Sequence, residues 1–166
     1  MKFAIKNIMN KCVLDSSVII KGFFPPKTSL PLEIYNREIL THKKCMYLFK
    51  IIEERFIEVI LPKVSIVEVA AVSRRFTDKQ TSQKITSRLY STSTLVSEEE
   101  IFHESWKIAE SQSCSGFDSY FIALAYREKI PLFTDDEGMH HHALKKGVLS
   151  ILIRLSEISD IEKTLF

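Results

Sequence analysis

Four acids stand where a carboxylate can do more than solvate a surface: Asp15, Glu68, Asp118 and Asp136. Asp15 closes the apolar run Cys12-Val-Leu-Asp15, and Asp136 ends the run Pro131-Leu-Phe-Thr-Asp-Asp136. Glu68 lies in the first turns of an apolar helical pattern that follows Pro62, and Asp118 stands where Cys114-Ser-Gly-Phe-Asp118 turns into a second such pattern. If the elements that bear them share one edge of a sheet, the four acids converge. Convergent carboxylates repel one another, and at neutral pH they settle by binding cations or by taking up protons. A hard divalent ion, Mg²⁺ or Mn²⁺, suits such an oxygen-donor set. These ions keep several waters, orient phosphate oxygens and acidify a bound water, which is the chemistry of phosphodiester hydrolysis. Each acid alone also has an ordinary reading, as a helix cap or a solvated first-turn carboxylate.

The elements that must position these acids follow from period and punctuation. Cys12 to Asp15 reads as a buried strand, and Val18-Ile-Ile-Lys21 as the helix or turn after it. Pro25-Pro26 and Ser29-Leu-Pro31 mark an irregular connection; Thr41 then caps a helix over about 42–55, with apolar positions Met46, Leu48, Phe49, Ile52 and Phe56. Ile57 to Leu61 is β-branched and stopped by Pro62, hence a second strand; a helix carrying Glu68 starts near Ser65. Asp78 to Tyr90 suits an exposed helix, and the Ser/Thr-rich connector Ser91 to Ser97 has room for a short strand at Leu95-Val96. Ser97-Glu-Glu-Glu100 has capping-box spacing. A helix from Ser119 to Arg127 follows Asp118, then the strand after Pro131, a helix from Glu137 to Lys146 stopped by Gly147, and a last strand from Val148 to Ile153. Strands and helices alternate, which predicts an α/β fold with a parallel, helix-flanked sheet and ligands outside the carboxyl ends of its strands.

At 166 residues the chain suits one domain, spanning 1–166. Its 45% hydrophobic and 27% charged residues are a globular composition. No apolar stretch reaches the roughly 20 residues that cross a bilayer. Met1 to Asn10 carries lysines and no sustained apolar region, so it does not read as a secretory signal, and a cytoplasmic protein without membrane contact is expected. Cys12, Cys45 and Cys114 lie far apart and suggest reduced thiols, not a zinc site. A net charge of +2 does not by itself argue for nucleic acid. Arg74, Arg75, Lys79, Lys84 and Arg88 form a basic cluster that fits either a phosphate track or a solvated face. His140-His-His142 points in different directions on a helix and reads as surface, while Phe23-Phe24 and Trp106 read mainly as core.

Taken in order, Leu14-Asp15-Ser16-Ser17, Leu61-Pro62-Lys-Val-Ser-Ile-Val-Glu68 through Arg75, Phe117-Asp118-Ser-Tyr-Phe-Ile-Ala-Leu-Ala125 and Pro131-Leu-Phe-Thr134-Asp-Asp136 resemble the motifs of PIN domains, especially the VapC toxins of toxin–antitoxin pairs. The resemblance runs from about residue 11 to 153. It implies a three-layer α/β/α fold and a Mg²⁺- or Mn²⁺-dependent endoribonuclease, often a homodimer, held inactive by a cognate antitoxin. It also implies that Asp15, Glu68, Asp118 and Asp136 are the metal-binding acids and that Ser17 and Thr134 are the hydroxyls beside them. Because the family's last acid stands two residues after the threonine, Asp136 is preferred and Asp135 is the runner-up. The proline-interrupted stretch 22–40 departs from the more compact relatives. Two rivals stay open: a PIN nuclease of RNA processing or structure-specific cleavage outside any toxin pair, and a catalytically silent module that binds RNA or protein.

Overall fold

The computed structural model describes residues 10–165; Met1–Met9, with most of the lysine-bearing N-terminus, and Phe166 lie outside the described residues. Five strands form one sheet: β1 (Lys11–Leu14), β2 (Glu58–Pro62), β3 (Thr94–Val96), β4 (Leu132–Thr134) and β5 (Ser150–Leu152). Their order is β3-β2-β1-β4-β5, and every pairing is parallel. Among the described residues, eight helices connect and cover them: α1 (Ser16–Phe23), α2 (Leu32–Glu54), α3 (Val64–Ser73), α4 (Lys79–Thr92), α5 (Glu98–Gln112), α6 (Gly116–Glu128), α7 (Glu137–Lys146) and α8 (Ile158–Leu165).

The strands are apolar on both sides because both faces are buried, as a parallel sheet requires. Alternation along each strand divides the core. Cys12, Leu14, Val59, Leu61 and Phe133 join one layer with Val18, Ile19, Leu48, Val69 and Ile161. Val13, Ile60 and Leu132 join the other with Ile101, Ile108, Phe121 to Ala125 and Met139. This is the three-layer α/β/α arrangement expected. The chain passes from β1 outward through β2 to β3, then returns to β4 on the other side of β1. The carboxyl ends of β1 and β4 therefore flank the point where the strand order reverses, where ligands of such sheets bind.

Several boundaries differ from the sequence reading. The helix expected over 42–55 begins at Leu32, so the irregular stretch ends at Pro31. Pro31, at φ −51°, is preset for a helix start, but Leu32 and Leu40 are exposed and offer no buried stripe to read. The buried face of α2 is Thr41, Cys45, Leu48 and Ile51, while Met46 and Phe56 face solvent. Trp106, expected in the core, is 56% exposed on α5. Helix α6 starts at Gly116, three residues before the expected Ser119, with Ser115 as its cap. Strand β5 is three residues long, and α8 was not anticipated; it closes one core layer with Ile161 and Leu165, both fully buried. Helices α1 and α2 approach closely at Gly22, where any Cβ would fall 2.2 Å from the Phe49 ring. Among the described residues no helix is long and apolar enough to cross a membrane.

Candidate active site

The β1–β4 ladder runs on past both strands: the Asp15 N–H donates to the Phe133 carbonyl at 2.9 Å. That pairing sets Asp15 beside Thr134. The Asp15 carbonyl receives the first N–H groups of α1, from Val18 and Ile19, but its carboxylate caps nothing. Instead Oδ2 accepts hydrogen bonds from the Ser17 hydroxyl and, at 2.8 Å, from the Thr134 hydroxyl. Thr134 in turn accepts the Asp136 N–H at 3.0 Å, and Ser17 accepts the Asp135 N–H at 3.1 Å. Both hydroxyls thus hold Asp15 and the turn after β4 in one lattice of bonds.

The other acids stand around this floor. Glu68, on α3, accepts a 2.6 Å hydrogen bond from the Ser16 hydroxyl, which ties it to the start of α1. Asp118 lies in the first turn of α6, where its N–H donates to the Ser115 hydroxyl that caps the helix, and the same hydroxyl bears on its carboxylate. Asp136 caps α7 through Oδ1, which accepts the Met139 N–H at 2.8 Å; a Cβ on Gly138 would stand 3.1 Å from that oxygen. The cap reading therefore holds for one oxygen of Asp136 and fails for Asp15 and Asp118. Asp15 is buried, Glu68 and Asp118 are partly buried, and Asp136 is exposed, so the cluster opens from a closed floor to a solvated rim.

Electrostatics tie the four together. Burial pushes the Asp118 carboxyl up to about 6, helped by the charges of Asp136, Asp15 and Glu68. Asp15 is also raised, by burial first and then by Asp136, although the Ser17 and Thr134 hydroxyls pull it back. Glu68 is raised by burial and by Asp15, against the bond from Ser16. The charges named as acting on Asp15, Glu68 and Asp118 are thus those of the other acids of this group, and among the described residues no ion pair to a basic side chain is formed by any of the three.

Asp135 is the opposite. It is buried, which alone would raise its pKa, yet the hydrogen bonds and charges of Arg154 and Lys21 hold it below the ordinary aspartate value. Arg154 Nε reaches Oδ1 at 3.1 Å and Nη2 reaches Oδ2 at 3.1 Å, while Lys21 pairs with Oδ2. Both carboxylate oxygens of the runner-up are therefore taken. The pairing of Lys21 and Arg154 with Asp135, and the Ser16 link to Glu68, carry no short motif. Only Ser16 had a sequence signal, its place beside Asp15.

Oxygen donors without a compensating cation fit a hard divalent ion. Among the described residues no three His, Cys, Asp or Glu side chains converge into a ready cation-ligating group. Mg²⁺ does not require that, since it keeps several waters and is commonly held by one or two carboxylates. The Ser65 hydroxyl, one helical turn before Glu68, is also the one buried side-chain polar atom without a hydrogen-bond partner among the described residues. Thiol chemistry does not fit: Cys12 and Cys45 are buried, and burial pushes each thiol up to about 12, while the partly buried Cys114 is raised by burial and by the Asp118 charge.

The basic cluster is solvent-exposed. Arg74 donates to the Thr77 carbonyl at 2.6 Å, and Arg88 stands 3.8 Å from Glu53, while Arg75, Lys79 and Lys84 are exposed on the same stretch. His140 and His142 bond different partners, Ser150 and Gln112. Phe23 packs on Phe49 and Phe24 stacks on Phe76. A cavity of about 390 Å³ lies between the end of α1 and the start of α2, walled by Ile20, Phe24, Leu30, Ile34 and Phe76; none of the four acids lines it.

Comparison with known proteins bears on the fold and on the family. A chain of the structure described as FitAB bound to IR36 DNA fragment is similar with a TM-score of 0.59 and 16% identity, over 88% of this chain and 97% of that one. FitAcB from Neisseria gonorrhoeae is similar with a TM-score of 0.55 and 16% identity, over 87% of this chain and 99% of that one. At such identity the likeness speaks for the fold alone. No curated protein matches the sequence. The PIN domain family model matches residues 12–145, which takes in all four acids and both hydroxyls, and the chain belongs to the PIN-domain family.

Proposed function

We propose that this protein is a Mg²⁺- or Mn²⁺-dependent endoribonuclease whose ion is held by Asp15, Glu68, Asp118 and Asp136. The observation that supports this reading is the hydrogen-bonded arrangement that sets Asp15, Thr134 and Asp136 together where β1 and β4 end, with Glu68 tied to the same place through Ser16 and the carboxyls of Asp15, Glu68 and Asp118 raised by burial and by neighbouring acids. When bound, the ion supplies polarisation of a phosphate oxygen and a water acidic enough to attack at neutral pH. The chain's own part is to fix the ligands beforehand. Ser17 and Thr134 aim Asp15, and Ser16 aims Glu68, so each carboxylate is held by a hydroxyl and keeps lone pairs for the ion. Asp118, at about 6, sheds its last proton just below neutral pH and is then available as a ligand. The exposed Arg74, Arg75, Lys79, Lys84 and Arg88 offer positive charge to an RNA backbone.

Within this activity, the role of a toxin held by a cognate antitoxin, in a homodimer, is the finer proposal. It is supported by the order of the four motifs and by the likeness of fold to a chain of the FitAB complex. The test is incubation of purified protein with a cellular RNA pool in Mg²⁺ or Mn²⁺, in EDTA, and with Asp118→Asn in parallel. Discrete metal-dependent products that vanish with the variant are expected. Full cleavage by folded Asp118→Asn would overturn the assignment, and inert RNA without Mn²⁺ binding would leave a silent binding module.

A further inference from the structure

Asp135, the runner-up to Asp136 in the sequence reading, is left out of the proposed ligand set, yet its carboxylate accepts four hydrogen bonds. The Arg154 N–H and Nε both donate to its Oδ1, at 3.0 and 3.1 Å, and Nη2 donates both to Oδ2, at 3.1 Å, and to the Asp135 carbonyl. Lys21, from α1, donates to Oδ2 and also to Glu38 of α2. The turn after β4 is therefore tied at one residue to α1, α2 and the segment after β5. From Asp135 the bonds continue: its N–H donates to Ser17 Oγ, Ser17 donates to Asp15, and Thr134 bridges Asp15 to the Asp136 N–H.

We propose that Arg154 is a positioning residue for the acid cluster: its grip on Asp135 fixes the backbone from Thr134 to Asp136, and with it the placement of Asp15 and Asp136 relative to each other. The inference rests on the reading of the four acids as a cation site. Two features support it beyond stability. A guanidinium that bonds both the carboxylate and the carbonyl of one residue restricts that residue's main chain as well as its side chain, which a point charge does not do. Asp135 is also joined to the acids by a single step, since its own N–H donates to the Ser17 hydroxyl that bonds Asp15, so whatever holds Asp135 bears directly on the cluster. The grip leaves the cluster itself uncompensated, because the charges of Lys21 and Arg154 are turned to Asp135 and Glu38.

The test is calorimetric titration of Mn²⁺ alone into the full chain, well below the unfolding temperature. It compares wild type, Arg154→Met, Arg154→Lys and, as a control destabilised elsewhere, Ile161→Ala from the buried face of α8. Loss of a partner bonded directly to a ligand typically weakens metal affinity about 10- to 100-fold; Arg154 acts one residue further out, so a loss at the low end, about 10-fold, is expected for folded Arg154→Met, with a smaller loss for Arg154→Lys and wild-type affinity for Ile161→Ala. Unchanged affinity in folded Arg154→Met, or an equal loss in Ile161→Ala, would overturn the positioning role. If Arg154→Met does not fold, Arg154→Lys decides: it keeps the charge and loses the fork, and wild-type Mn²⁺ affinity in it would overturn the proposal. A wild-type chain that takes up no Mn²⁺ would instead overturn the reading of the acid cluster, and this inference with it.

Discussion

Asp135 and Asp136 are joined by one peptide bond, and their surroundings are opposite. Asp135 is buried, bonded at both oxygens by Arg154 and Lys21, and held below its ordinary pKa. Asp136 is exposed, bonds one backbone N–H, and adds its charge to those that raise Asp118 and Asp15. The difference separates two uses of a carboxylate. An acid matched to cations in the protein is part of the scaffold, because its charge is already satisfied. An acid that meets no such cation keeps its charge free for a ligand, and this is the use proposed for Asp136.

Substituting each of the two tests the contrast most sharply. Asp136→Asn keeps a good helix cap, so its thermal midpoint should stay near wild type while metal-dependent cleavage falls about 100-fold or more, the scale of several kcal/mol of transition-state stabilisation. Asp135→Asn should do the reverse in rank: it removes the buried charge that Lys21 and Arg154, both partly buried, are matched to, and should cost about 3 kcal/mol in denaturant unfolding, with cleavage reduced only as far as the turn is loosened. Equal stability loss in both would erase the distinction between scaffold and site.

The smallest effect is in pH. Asp118, raised to about 6, holds its proton in the folded chain where the unfolded chain has released it, so its contribution to stability declines as pH rises from the ordinary 3.8 through about 6. Asp135, lowered from 3.8, has the opposite sign: its contribution is full above that value and is lost as pH falls through its depressed folded value. In EDTA, the thermal midpoint of wild type relative to Asp118→Asn should therefore drop as pH rises through about 6, and saturating Mg²⁺ should remove the drop. A wild-type midpoint that climbs relative to the variant over the same window would contradict the repulsive cluster.

The elements that position the acids were legible because each is announced locally. Short apolar runs ending in an acid mark β1 and β4; the Ser97–Glu100 box marks the start of α5, and Gly147, at φ 84°, marks the end of α7. The parallel sheet followed from alternation. The first turns of α2 were not legible, since their apolar residues face solvent and Pro25, Pro26 and Pro31 read as a loop. Nor was α8, whose eight residues become a core element only by packing on a layer assembled from distant strands. Within the candidate site, the four acids and two hydroxyls are readable as ordered motifs, and the proposal rests on them. The Arg154–Asp135–Lys21 network was not, because it joins residues 114 and 19 positions apart that share no local pattern.

The measurement that most directly tests the central claim is a calorimetric Mn²⁺ titration of wild type beside an Asp15→Asn, Asp118→Asn double variant. Saturable binding by wild type that is lost in a double variant at least as thermally stable is the predicted result, since removing two charges relieves the repulsion that the ion would otherwise satisfy. Equal Mn²⁺ binding by both proteins, or none by either, would contradict the account.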